Sequence, residues 1–206
     1  MAPRSAAYNV QEQLIERTSN EEGLDRQAKT MSEIDEEIDV LTSSVVHRPT
    51  GQVFATTIVY FGQLNSRQRA ELTHWRFDWL AETNRSRREV MALLAEHSST
   101  VQGFMSLEPA EGFVLVHLLE SAPHNVGQNK LFRGVPGNLF AFACARAFAL
   151  KFDGYVAFEA KTELIEHYRI SLGAEQVGSS SRMIIVTENA RRLVEPYFEE
   201  TDQWPL

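Results

Sequence analysis

Between Lys130 and Leu139 the chain reads KLFRGVPGNL and then runs on into the apolar stretch FAFACARAFAL. Gly134, Val135, Gly137, Asn138 and Leu139 supply backbone N–H groups where a helix begins, and the first turn of a helix leaves such donors without intrahelical partners. Lys130 and Arg133 place two positive charges at the mouth of the turn, while Pro136 gives no N–H but fixes φ. Convergent donors with nearby cations suit a pyrophosphate. The same residues also make an ordinary glycine-rich turn with solvated basic side chains. No Gly-Lys-Ser/Thr follows, so this is not a P-loop, and the glycine spacing differs from the dinucleotide fingerprint.

Other reactive residue types are sparse. Cys144 lies within the apolar run and reads as a small filler, not a nucleophile. No His, Cys or Asp group shows metal-ligand spacing, so no metal is expected. Trp75, Phe77 and Trp79 are core candidates with a second reading as a pocket wall. The 206 residues carry a net charge of −8, with 43% hydrophobic and 23% charged residues. That composition suits a globular domain and speaks against a nucleic-acid partner, which calls for a basic face. A lone cysteine and the lack of any long apolar run lead to the expectation of a cytoplasmic protein away from membranes.

Elements able to position these residues follow from patterning. Residues 1–32 are polar, with a weak helical stripe at Tyr8, Val10, Leu14 and Ile15, and read as an arm preceding a domain over 33–206. IDVLTSSVVH and QVFATTIVYF flank RPTG and predict a β-hairpin. NSRQRAELTHWRFDWLAE predicts helix at least through Leu72. REVMALLAE, STVQGFMSLE and GFVLVHLLE predict an antiparallel meander. Then come a buried helix from Asn138 to about Leu150, a strand in DGYVAFEA, a helix from a Thr162 cap to a Gly173 stop, a strand in RMIIVT and a last helix in ENARRLVEPYF. The fold class is α/β (α+β), a mixed twisted sheet flanked by helices, with the arm and hairpin at its N-terminal side.

From about Val90 to Ile185 this order of elements, with LLESAPHN, the glycine loop and YVAFEAKTELIEHYRISLGAE, resembles the GNAT N-acetyltransferases. WRFDW, ESAPHN and AKTELIEHY resemble a group of small bacterial proteins of that family. The resemblance implies acetyl-CoA as co-substrate, with its pyrophosphate over Lys130, Arg133, Gly134, Val135, Gly137, Asn138 and Leu139. It implies backbone donors for the oxyanion near Leu119 and Ser121, a general base or water-linking carboxylate at Glu120, and a proton donor to the departing thiolate at Tyr168. Lys161 stands where many members have an asparagine that contacts the pantetheine arm. His117, three positions before Glu120, is the alternative base, although on a strand it faces the opposite side. The family loop reads Gln/Arg-x-x-Gly-x-Gly/Ala, whereas here Leu131 and Pro136 occupy its first and last positions, with Gly137 displaced by one. The implied partner is an amine-bearing small molecule or protein, with a homodimer as one assembly. A GNAT-fold module that binds acyl-CoA without turnover is the competing expectation.

Overall fold

The computed structural model describes residues 33–42, 44–96, 98 and 100–196. The expected arm over 1–32 lies outside them. Seven strands form one mixed sheet in the order β3-β4-β5-β6-β8-β10-β9. They are β3 (Thr56–Tyr60), β4 (Glu89–Ala95), β5 (Val101–Pro109), β6 (Val114–Ser121), β8 (Val156–Glu159), β9 (Glu175–Gln176) and β10 (Arg182–Ile185). A small second sheet joins β2 (Val53–Phe54), β1 (Val45–His47) and β7 (Phe132–Arg133).

The meander is present as β4, β5 and β6. Residues Val90–Leu93 and Val101–Leu107 are buried throughout, because layers cover both faces of the sheet there. On one face lies α3 (Val135–Ala149), which contacts β5 and β6 and packs against α5 (Thr187–Val194). Its apolar residues leave no polar side to show to water, so it is covered almost all round. The helix comes close to β5 because position 103 is glycine: a Cβ there would lie 2.7 Å from Val135 Cγ1. On the other face Phe104 is enclosed by Phe61, Trp75 and Trp79, with the Trp79 ring stacked at 5.0 Å. These aromatics are core, and burying one such ring contributes roughly 1.5–3 kcal/mol.

After β8 the chain makes a single 3₁₀ turn (Thr162–Leu164) and then α4 (Ile165–Leu172). Gly173 ends α4 in the left-handed region at φ 67°, as its sequence position predicts, while Thr162 starts the 3₁₀ turn with no capping side chain. Two segments are more broken than their sequence suggests. Helix is present through Leu72 as expected, as α1 (Ser66–Ala70) and a 3₁₀ turn (Glu71–His74), but Trp75 then turns inward onto Phe104 and a separate α2 (Trp79–Thr83) follows. The expected hairpin forms only beside its turn, where β1 pairs antiparallel with β2. Pairing starts only at Val45, and Ile34–Thr42 runs without secondary structure apart from one bridge.

Candidate functional site

Strands β6 and β8 are the one parallel strand pair among the described residues, and they stay in register for three pairs, from Val114↔Val156 to Val116↔Phe158. Beyond that point β6 continues to Ser121 beside β5, while β8 ends at Glu159. A bulge falls at the same place. Ser106 faces Leu118 and Leu107 faces Val116, so His117 is the extra residue that re-aims the end of β6. The two strands therefore part into a cleft of about 530 Å³ whose walls include Ser121, Asn125, Lys130, Val135, Pro136 and Leu164.

The first wall is the glycine loop. Gly134 caps α3 at φ 92°, a left-handed backbone that favours glycine, and a Cβ there would lie 3.0 Å from the Ser44 carbonyl oxygen. Its N–H points out of the helix start, as an anion site requires. That N–H donates to Asp39 Oδ1 at 2.9 Å, and Lys130 Nζ meets Asp39 Oδ2 at 2.9 Å. A carboxylate of the chain itself thus sits on two of the donors read from the sequence as phosphate ligands.

The remaining loop residues divide. Val135 lines the cleft. Arg133 is exposed on β7, paired in register with Val46. Asn138 is buried with its amide fully used: Nδ2 donates to the Gly134 and Ser44 carbonyls, and Oδ1 accepts from Thr56 Oγ1. Leu119 and Leu139 are core side chains. Asn138, Leu119 and Leu139 are expected to act through their backbone N–H groups, and that of Asn138 donates within the helix start to the Gly134 carbonyl at 3.0 Å, while its side chain ties the loop to the N-terminal segment. Lys161 is exposed at the rim of the cleft, and its N–H donates to the Ile34 carbonyl at 2.9 Å.

The second wall is the 3₁₀ turn before α4, through Glu163 and Leu164, with α4 packed behind it. Tyr168 is buried, with Phe140 and Phe158 against its ring and its hydroxyl donating to the Glu36 carbonyl at 2.8 Å and, more weakly, toward Ile34 O at 3.3 Å. Burial holds the phenol above the ordinary tyrosine range, and the carboxylates of Glu36 and Asp35 push the same way. Beside it His167 accepts the Ile38 N–H at Nε2, 2.8 Å.

Glu120 has a different role from the one its position implies. Its Oε1 accepts the Arg76 N–H at 2.6 Å, while Oε2 accepts the Phe77 N–H at 3.2 Å and the Trp79 indole N–H at 2.9 Å. A buried carboxylate with three donors converging on it organises the 76–79 loop, and it is not poised to take a proton from a substrate. His117 pairs across the strand with Glu108 at 3.1 Å. Cys144 is fully buried, which pushes its thiol far up and leaves it inert.

Residues that sequence patterning did not single out complete the site. Asp35, Glu36, Glu37 and Asp39 all face the cleft, and Arg76 meets Asp35 through two nitrogens at 2.6 and 2.8 Å. The signal available was EIDEEID, whose isoleucines at 34 and 38 are both buried while the acids between them turn toward the cleft. Glu36 lies beside Ser121, whose hydroxyl and N–H both favour its ionised form.

Burial raises the Glu36 pKa more than Ser121 and Arg76 lower it, with Asp35 adding to the rise. A carboxyl whose pKa is higher folded than unfolded binds its proton more tightly when folded. The folded state therefore gains as pH falls below the folded value and loses that advantage as pH rises through it. Glu36→Gln, which keeps the shape and removes the charge, is expected to unfold at least as high as wild type at pH 8, with the difference shrinking toward pH 4. Thermal melts across that range check this, and a variant that is less stable at pH 8 and equal at pH 4 would contradict it.

Among the described residues no group of three or more His, Cys, Asp or Glu is placed to hold a metal ion, and no helix is long and apolar enough to cross a membrane. No protein-family model matches the chain, and no curated protein matches it significantly. Among solved structures, a Bacillus subtilis acetyltransferase in complex with CoA is similar at 12% identity over 63% of this chain and 95% of that one, with a TM-score of 0.40.

Proposed function

We propose that this chain is an acetyl-CoA-dependent N-acetyltransferase acting on a primary amine of a small molecule or a protein. The observation that supports it is the parting of β6 from β8 after Val116↔Phe158, with anion-type donors on one side and a buried phenol on the other. The residues fit such a ligand on chemical grounds, because the Gly134 N–H and Lys130 already hold a carboxylate and Ser121 lies beside another. In the reaction the amine attacks the thioester carbonyl carbon and the C–S bond breaks. Ser121 N–H would stabilise the oxyanion, and Tyr168 would protonate the departing sulfur. Glu120, with its oxygens committed to Arg76, Phe77 and Trp79, leaves removal of the amine proton to solvent in the cleft.

That same commitment favours a second reading, a module that binds acyl-CoA without turning it over. Calorimetry with coenzyme A, and thiol release from acetyl-CoA against a panel of amines with products read by mass spectrometry, separate the two. Binding with an acetylated amine supports the enzyme. Binding with no product from any amine supports the module, and no binding at all would sink both.

A further inference from the structure

We propose that Ile34–Thr42 is a strap resident in the acyl-CoA cleft, and that a coenzyme A ligand binds by displacing it. This rests on the cofactor reading above and adds its regulation: the site is closed by the chain's own backbone and acids until the ligand competes.

The strap meets the cleft at the points a pyrophosphate thioester would use. At its start, Ile34 lies beside the end of β8, with its N–H on the Glu159 carbonyl at 2.7 Å and its carbonyl accepting the Lys161 N–H at 2.9 Å. It enters the gap that opens when β6 leaves β8. Next, the Glu36 carbonyl takes the Tyr168 hydroxyl at 2.8 Å, and its carboxylate lies beside Ser121, at the end of β6. Three residues on, about 10 Å of extended chain, the Asp39 carboxylate takes the Gly134 N–H and pairs with Lys130. One acid thus stands at the acyl end and the other at the anion end. The geometry is that of an internal mimic.

Its attachment suits release. Between Asp35 and Thr42 no residue takes part in a strand or helix, so the segment is held by the buried side chains of Ile34 and Ile38 together with the contacts above, the Ile38 N–H on His167 and the Asp35–Arg76 pair. Asp39 and Lys130 keep 14% and 21% of their side-chain surface exposed, so water and ligand reach the ion pair. An intramolecular occupant lowers apparent affinity in proportion to the fraction of molecules with the cleft closed. Weakening the strap should therefore tighten ligand binding, the opposite of what a supporting wall would do.

The test uses the full chain and coenzyme A itself, with calorimetry for affinity and hydrogen exchange for the strap. In wild type, saturating coenzyme A should speed amide exchange over 35–42. Asp39→Asn, which keeps shape but yields Lys130 and the Gly134 N–H to a phosphate, should speed that exchange without ligand and bind coenzyme A at least tenfold more tightly. Asp39→Ala serves as a second variant with the same expectation should the asparagine retain the seat. Coenzyme A binding to wild type with exchange over 35–42 unchanged or slowed would overturn the strap and leave the cofactor reading intact, because a tighter Asp39→Asn complex would then reflect charge alone. No binding to wild type or to either variant, with exchange over 35–42 already fast in the variants, would overturn the cofactor reading and the strap with it.

Discussion

Replacing Glu120 with alanine is expected to cost this protein about 3–5 kcal/mol of stability, a larger loss than any change in turnover would predict. Three donors aim at that carboxylate, two from the Arg76 and Phe77 backbone and one from the Trp79 indole, and its residue is 5% exposed. Hydrogen bonds to a buried charge contribute about 1.5–3 kcal/mol each, and donors left unpaired carry their own desolvation cost. The sum is reduced because the 76–79 loop has room to reach water once the side chain is gone. Trp79, stacked on Phe104, has less room, since its ring belongs to the core. Glu120→Gln should fall between, as one oxygen still accepts while the amide nitrogen confronts a donor. Urea denaturation of the three proteins measures this. An alanine variant of wild-type stability that has lost turnover would instead restore Glu120 as the base.

The carboxylate shows what sequence patterning sees and what it misses. Alternation and turn residues located β4, β5 and β6 because each strand is short, bounded and apolar, and the glycine at 173 marked the end of α4 through a backbone need that few other residues meet. Glu120 was legible as a residue at a strand end. Its partners were not, since Arg76, Phe77 and Trp79 lie more than forty positions away and two of them offer only backbone N–H groups, which no residue type announces. The cleft residues divide in the same way. Lys130 and Gly134 stood out by type and spacing and Tyr168 through the family resemblance, but their present partners did not: Asp39 sits in a segment that patterning assigned to a strand, and Glu36 lies just before it. IDVLTSSVVH carries β-branched residues, and local propensity favours pairing there. Burial of Ile34 and Ile38 in the main core and the bond from Ile38 N–H to His167 hold the chain in an unpaired path instead. Tertiary contacts outweighed the local preference.

Tyr168→Phe should lower turnover by roughly ten- to a thousandfold while leaving coenzyme A binding undiminished. Collapse of the tetrahedral intermediate puts negative charge on the departing sulfur, and loss of a positioned acid removes a factor of that size. A tyrosine phenol is protonated at neutral pH, and burial with the neighbouring Glu36 and Asp35 raises its pKa further, so it carries the proton the sulfur takes while being a weaker acid than a free phenol. Phenylalanine keeps the ring among Phe140, Phe158 and Leu172 and removes only the hydroxyl. That hydroxyl also bonds the Glu36 carbonyl, so the variant loses about 1 kcal/mol of stability and one tie on the strap. Ligand affinity should then hold or rise as turnover falls. A merely structural tyrosine would give another pattern, with stability and activity declining together as the temperature is raised and with equal turnover well below the melting transition. Turnover with saturating amine and acetyl-CoA at low temperature, beside calorimetry with coenzyme A, tells the two apart. A variant as fast as wild type under those conditions would strip Tyr168 of its part in the chemistry and leave it holding only the aromatic packing and the strap.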